Sequence, residues 1–137
     1  MLSVLPDDPY LHLGLGVAYV FNGTYDKGLA ALRKTVEAEP HRRPLLAWAD
    51  VLAGDRRQAI KILDESLKRL AKGEKISKQN IALVYVALGD KDQAFSWLEK
   101  AYQEGSGQLS YIKIDPTFDS LRSDPRFDEL LRRIGLL

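Results

Sequence analysis

The pattern of apolar and polar positions along the chain predicts short helices that follow one another in pairs. The clearest pair lies between Ile81 and Tyr102. In each half of this stretch, apolar residues recur at positions i, i+3, i+4 and i+7, which place them on one face of a helix. They are Ile81, Val84, Tyr85 and Leu88 in the first half, and Ala94, Trp97, Leu98, Ala101 and Tyr102 in the second.

The turn between these two helices is marked by Gly89 and Asp90. Glycine adopts the left-handed conformation that commonly ends a helix. The Asp90 carboxylate can accept hydrogen bonds from the free amides of the next helix, and Gln93 stands at the third position of a capping box. The sequence therefore predicts one helix ending at Leu88 and another beginning at Lys91.

The same order of residues occurs twice more along the chain. Gly54 is followed by Asp55 and Gln58, and Gly23 is followed by Thr24 as a predicted helix cap. Pro44 fits only the first turn of a helix, because proline lacks an amide and clashes inside a helix. The predicted pairs are Tyr10 to Phe21 with Tyr25 to Ala38, Pro44 to near Ala53 with Arg56 to about Ala71, and Glu74 to Leu88 with Lys91 to about Glu104.

The spacing and the residue types of these pairs resemble the tetratricopeptide repeat. Pro6 and Pro40 are 34 positions apart, and the family repeats every 34 residues or so. The residues that carry the resemblance are the small Gly16, Ala47 and Ala82 in first helices, the small Gly28, Ala59 and Ala94 in second helices, Tyr19 and Tyr85, and the bulky Leu32, Leu63 and Leu98. His12 and Lys78 depart from the family pattern at its tryptophan position, and Asp50 departs at its tyrosine position.

This resemblance implies an all-α fold, a right-handed α-solenoid of about three helix hairpins. We expect one domain over residues 1–137, with repeats at about 9–40, 41–73 and 74–106. Residues 2–9 resemble the end of a preceding repeat, which predicts a fragment of a longer array; the alternative is a native N-terminus that happens to hold Pro6. If a repeat is missing, the apolar residues of the first hairpin form a bare face, and we expect a homodimer through it. These residues are Val17, Val20, Phe21, Leu29 and Leu32.

The C-terminal segment 107–137 departs from the repeat. Asp115-Pro116 and Asp124-Pro125 are both typical helix starts. A solenoid needs an atypical end unit that covers its last apolar face, and this segment resembles the ends of long bacterial tetratricopeptide arrays. The resemblance implies a capping segment, in a family of arrays often fused to winged-helix transcription regulators or Ser/Thr kinases.

Composition and charge argue against several other classes of protein. The 20 basic and 19 acidic residues give a net charge of +1, which provides no general attraction to nucleic acid or anionic membranes. The chain has no cysteine, which is compatible with cytoplasm and periplasm alike. It has no apolar run long enough to span a membrane, and the residues before Pro6 are too short for a signal peptide. We expect a soluble protein, with the cytoplasm favoured and the periplasm open if the chain is fused behind a membrane anchor.

No residue pattern indicates catalysis, a cofactor or a metal. The two histidines, His12 and His41, have no second ligand at metal-binding spacing, and no serine has a base partner. The sequence therefore predicts that the chain is not an enzyme. Two groups of basic residues could hold an acidic partner, but they lie far apart and among acidic residues, which favours exposed surface charge instead: His41, Arg42 and Arg43, and Arg122, Arg126, Arg132 and Arg133.

The family resemblance implies a concave groove, lined by the first helices, that receives a peptide or protein segment. The candidate groove residues are Tyr10, Leu13, Val17, Trp48, Leu52, Gln79 and Leu83. Trp48 is the most suggestive, because large aromatic residues concentrate binding energy. Leu13 and Val17 stand where relatives that clamp a terminal carboxylate have polar residues, so we expect an apolar or amphipathic peptide. The alternative function is a sensory or regulatory domain of a larger signalling protein that binds a small effector between repeats.

Overall fold

The computed structural model describes residues 9–105, 109 and 112–136, with side chains from Leu11 onward. All regular structure in these residues is helical, which confirms the predicted all-α fold class. The α-helices are α1 Pro9–Phe21, α2 Tyr25–Ala38, α3 Pro44–Leu52, α4 Arg56–Ala71, α5 Lys78–Leu88, α6 Lys91–Gln103 and α7 Pro125–Ile134, with 3₁₀ helices at Pro40–Arg42 and Pro116–Leu121. The chain divides after Ile76 into two compact units.

The helix boundaries follow the predicted caps, with one exception. The Asp90 carboxylate accepts a hydrogen bond from the Gln93 amide at 3.1 Å, as the capping box predicts. The prediction that the fifth helix begins at Glu74 was wrong: it begins at Lys78, because the Ser77 hydroxyl caps it by accepting from the Asn80 amide at 3.2 Å. Thr24 occupies the predicted cap position, and α2 begins at Tyr25 as predicted, but the Thr24 side chain makes no capping hydrogen bond.

The first unit contains two helix hairpins. In the hairpin of α1 and α2, Val20 and Leu32 are 2% and 0% exposed, so they form its core. This corrects the expectation that both belong to a bare outer face. In the hairpin of α3 and α4, Ala47 and Ala59 are fully buried at the crossing, and α2 packs against α3, which joins the two hairpins. The small residues therefore lie where the repeat pattern requires close helix packing.

The second unit contains the third hairpin and the C-terminal segment. Ala82 and Ala94 are fully buried in the hairpin of α5 and α6. The 3₁₀ helix Pro116–Leu121 packs against α5, and α7 packs against α6. The C-terminal segment contributes a large share of the buried apolar residues, namely Leu109, Ile112, Phe118, Leu121, Phe127, Leu130 and Leu131.

Arginines of α7 hold it against α6. The Arg126 guanidinium donates to the Asp92 carboxylate at 2.7 Å and lies 4.5 Å from the centre of the Phe95 ring. Arg133 donates two hydrogen bonds to Glu99, at 2.6 and 2.5 Å. Both arginines are exposed, as predicted. Each also forms an ion pair with an acidic residue of α6. The sequence did not indicate this contribution to packing.

Arg42 and Arg43, which precede α3, also form ion pairs within the first unit. Arg42 is 8% exposed, and its Nε donates to the Glu39 carboxylate at 3.2 Å. Arg43 donates through Nη2 to Glu65 of α4 at 3.2 Å. The prediction that Arg42 is exposed surface charge was wrong, because Arg42 is buried and paired with Glu39.

Candidate functional site

One side of α1 carries a line of apolar residues. Leu13, Val17 and Phe21 are four residues apart in turn, and this spacing places them one above another along a helix. Leu13 and Val17 are half-buried, whereas Phe21 is 48% exposed. The line therefore presents its most accessible side chain at the C-terminal end of α1.

Trp48 of α3 meets this line at Phe21. The two rings pack edge to face, with centroids 5.8 Å apart and planes at 72°. Trp48 is only 2% exposed, while Leu52, one turn further along α3, is 38% exposed. We call Leu13, Val17, Phe21 and Leu52 the apolar row. Trp48 contacts the row through the Phe21 ring and is itself buried. The predicted aromatic anchor is therefore a packing residue.

The other predicted groove residues do not add to the row. The Tyr10 side chain lies outside the described residues. Gln79 and Leu83 belong to the second unit, where Leu83 is 5% exposed and serves packing. Gln79 is half-buried, and its Oε1 is buried without a hydrogen-bond partner among the described residues. Phe21 was missed as a groove residue, although its spacing from Leu13 and Val17 was visible in the sequence.

A cavity of about 420 Å³ lies between α2, α3 and α4 of the first unit. It was not predicted, because its walls come from three helices that are separated in sequence. Its lining residues are Leu29 and Arg33 of α2, Arg43, Leu46 and Asp50 at α3, and Asp55, Gln58, Lys61, Ile62 and Glu65 at α4.

Asp50 is the most unusual residue of this cavity. It is 7% exposed, and its side chain accepts no hydrogen bond from any residue in the described part of the chain. Burial raises the pKa of the Asp50 carboxyl, the negative charge of Asp55 raises it further, and Arg33 opposes both effects. Neither oxygen of Asp50 is among the fully buried polar atoms that lack a partner, so the carboxylate is open to the cavity and free to accept hydrogen bonds from a ligand.

The remaining acids of the cavity are engaged in the fold. The Asp55 carboxylate accepts from the Gln58 amide at 3.2 Å and caps α4. Glu65 pairs with Arg43, whose Nε is buried without a partner among the described residues. Arg33 and Lys61 take part in no ion pair within the described part of the chain. The cavity thus offers one acid without hydrogen bonds and two exposed cations, of which Arg33 lies close enough to Asp50 to oppose its raised pKa.

Neither metal chemistry nor a membrane span is indicated by the described residues. Within them, no three His, Asp or Glu side chains are grouped closely enough to hold a metal ion. In the same part of the chain, every helix is too short or too polar to cross a membrane.

The hairpin of α5 and α6, with its serine cap, small crossing residues and left-handed Gly89, defines a helical-repeat protein. Residues 77–103 match the family model of the tetratricopeptide repeat. The third predicted repeat is therefore a tetratricopeptide repeat, and the resemblance found in the sequence is confirmed there. No curated protein and no solved structure gives a significant match to the chain.

Proposed function

We propose that this chain is a non-catalytic interaction module that binds a peptide or protein segment along the apolar row. The observation that carries the proposal is that two exposed large apolar residues of first helices lie next to the buried Trp48: Phe21, 48% exposed, contacts its ring, and Leu52, 38% exposed, lies one turn further along α3. Tetratricopeptide repeats usually bind protein partners, and the repeat is present in this chain. Exposed apolar side chains that cluster in this way commonly mark interaction sites.

The apolar row also defines the chemistry of the ligand. Helix α1, PYLHLGLGVAYVF, contains no charged residue. A ligand that contacts this row gains by burying apolar surface, at about 25 cal/mol for each Å² removed from water. We therefore propose an amphipathic segment whose apolar side chains contact Phe21 and Leu52.

Selection of peptides from a displayed random library tests this proposal. Leu52→Lys places a charge in the apolar row, whereas Ile60→Lys places the same charge at a residue of similar exposure, 41%, on α4. We expect the wild-type chain and Ile60→Lys to enrich the same apolar or amphipathic peptides, and Leu52→Lys to lose them. Equal enrichment by both variants, or no enrichment by the wild type, would contradict a ligand at this row.

A second candidate function is the regulatory domain of a larger signalling protein that binds a small effector. The observation that favours it is the cavity between α2, α3 and α4, with its unengaged charges. Thermal stabilisation by a small molecule in the absence of any peptide would support this candidate. The two functions can coexist because the apolar row and the cavity use different side chains.

The C-terminal segment 107–137 is proposed to cap the repeats. Support comes from the packing of α7 against α6 and from the buried Phe127, Leu130 and Leu131. A helix that covers an apolar face with one side and exposes charges on the other is what the end of a repeat array requires. The division into repeats at 9–40, 41–73 and 74–106 stays a prediction.

A further inference from the structure

We propose that the cavity between α2, α3 and α4 binds a small zwitterion with an aliphatic body, represented by a free aliphatic amino acid. This inference rests on the second candidate function and supplies its ligand class. It does not depend on peptide binding at the apolar row, which uses other residues.

The acidic end of the site is Asp50. This carboxylate is 7% exposed and accepts no hydrogen bond from any described residue, yet it lines the cavity. The strongest partner for a carboxylate that faces a cavity is a cation that donates hydrogen bonds to it. A ligand ammonium supplies three donors in a small volume. Asp50 therefore selects an amine.

The cationic end of the site is formed by Arg33 and Lys61. Both line the cavity, and neither forms an ion pair in the part of the chain that the structure describes. The Arg33 guanidinium of α2 and the Lys61 ammonium of α4 suit a carboxylate, because hydrogen bonds between charged groups are the strong ones. The anionic group of the ligand is assigned to this end.

The charges of the cavity argue for a ligand that carries both signs. Asp55 caps α4, and Glu65 is paired with Arg43, so these groups are already compensated. A simple amine would make no use of Arg33 and Lys61, which are exposed and hydrated when the cavity is empty, and a simple acid would bring a second negative charge near Asp50. Only a zwitterion satisfies both ends together.

The apolar part of the cavity sets the body of the ligand. Leu29, Leu46 and Ile62 contribute aliphatic wall from all three helices. A volume of about 420 Å³ lies within the usual range for small-molecule sites, roughly 300–1,000 Å³. An aliphatic amino acid places its side chain on this wall while its ammonium contacts Asp50 and its carboxylate contacts Arg33 and Lys61.

Calorimetric titration of the full chain with L-leucine tests the proposal. Isocaproate, which is leucine without the ammonium, and isoamylamine, which is leucine without the carboxylate, are the matched ligands. We expect leucine to bind and each truncated ligand to bind at least about tenfold more weakly, since loss of one charged hydrogen-bonded pair has that effect. Absence of binding by leucine and by the other aliphatic amino acids at millimolar concentration would overturn the proposal, as would equal binding of the truncated ligands.

Variants then locate the site. Asp50→Asn and Lys61→Gln should each weaken leucine binding by about tenfold or more, whereas Asp64→Asn, an exposed acid of α4 outside the cavity, should leave it unchanged. Circular dichroism confirms that each variant is folded. Leucine affinity that is unchanged in Asp50→Asn would overturn the assignment. Leu52→Lys should abolish peptide binding without affecting leucine, so failure of one function is distinguishable from failure of the other.

Discussion

A β-carbon on Gly28 would lie 3.1 Å from the carbonyl oxygen of Gly16 and 2.6 Å from Cγ2 of Val20. The backbones of α1 and α2 thus cross with no space for a side chain at this point. The contact explains why the small positions of the repeat pattern are occupied by glycine here, and it fixes the register of the first hairpin.

Replacement of Gly28 by alanine tests this register. We expect Gly28→Ala to lower the free energy of unfolding by about 1–3 kcal/mol, because the added methyl group forces the helices apart. Gly14→Ala is the matched control, since a β-carbon on Gly14 would have no neighbouring atom within 4 Å and alanine favours a helix by up to about 1 kcal/mol. Urea denaturation measures both. Equal midpoints for wild type and Gly28→Ala would show that the crossing is placed wrongly.

Shortening a buried side chain at the contact between α6 and α7 tests the capping role of the C-terminal segment. Leu130 is 5% exposed, and Leu130→Ala should lower the free energy of unfolding by about 2–5 kcal/mol, whereas Ile114→Ala, at a residue 73% exposed, should change it little.

Deletion of residues 109–137 should expose Phe95 and cause aggregation, which light scattering detects. A truncated chain that stays monomeric with unchanged melting would refute the cap.

The raised pKa of Asp50 predicts a specific dependence of stability on pH. Because the folded pKa lies above the ordinary value of 3.8, the folded state binds more protons than the unfolded state in the window between the two values. Stability therefore falls as pH rises through that window, and the penalty persists at neutral pH. Asp50→Asn should melt at a higher temperature than wild type at pH 7, with a difference that shrinks as pH falls through the folded pKa and is lost below about 4. A difference in melting temperature that does not change with pH would contradict the raised pKa of Asp50.

Self-association through α1 remains a prediction, now with a more limited surface. Of the predicted face, Val20 and Leu32 are buried and cannot contribute. Leu15, which lies outside that predicted face, is 40% exposed on the same helix, which carries no charge. We expect the wild-type chain to dimerise as concentration rises, and Leu15→Glu to stay monomeric with unchanged helicity. Ile60→Glu, at an equally exposed residue of α4, is the control. Sedimentation velocity that shows a monomeric wild type throughout would exclude the dimer.

Much of the fold was predictable because its determinants are local. Apolar periodicity, glycines at turns and carboxylate caps placed α2 and α4 at their observed ends and α6 within one residue of its own. The start of α5 was missed because a competing signal, the cap at Ser77, lies between charged residues that also suit a helix. Local patterns do not show which of two possible starts the tertiary packing selects.

The functional surfaces were less predictable because they depend on neighbours distant in sequence. Trp48 was correctly placed on a first helix, but its burial against Phe21 requires knowledge of how α1 meets α3. Asp50 was recognised as a departure from the repeat, yet the cavity around it exists only when α2 and α4 are in place. The pairing of Arg126 with Asp92 joins residues 34 positions apart, a distance over which charge patterns in the sequence carry no signal.

The central claim is that a peptide binds along the apolar row, and a methyl NMR titration tests it most directly. The probe is the peptide most enriched in the library selection, added to chain labelled at leucine, valine and isoleucine methyl groups. We predict that the resonances of Leu13, Val17 and Leu52 shift together with one affinity, while those of Ile60 stay in place. Shifts confined to other methyl groups, or saturation with the Leu52→Lys variant at the wild-type affinity, would contradict the account.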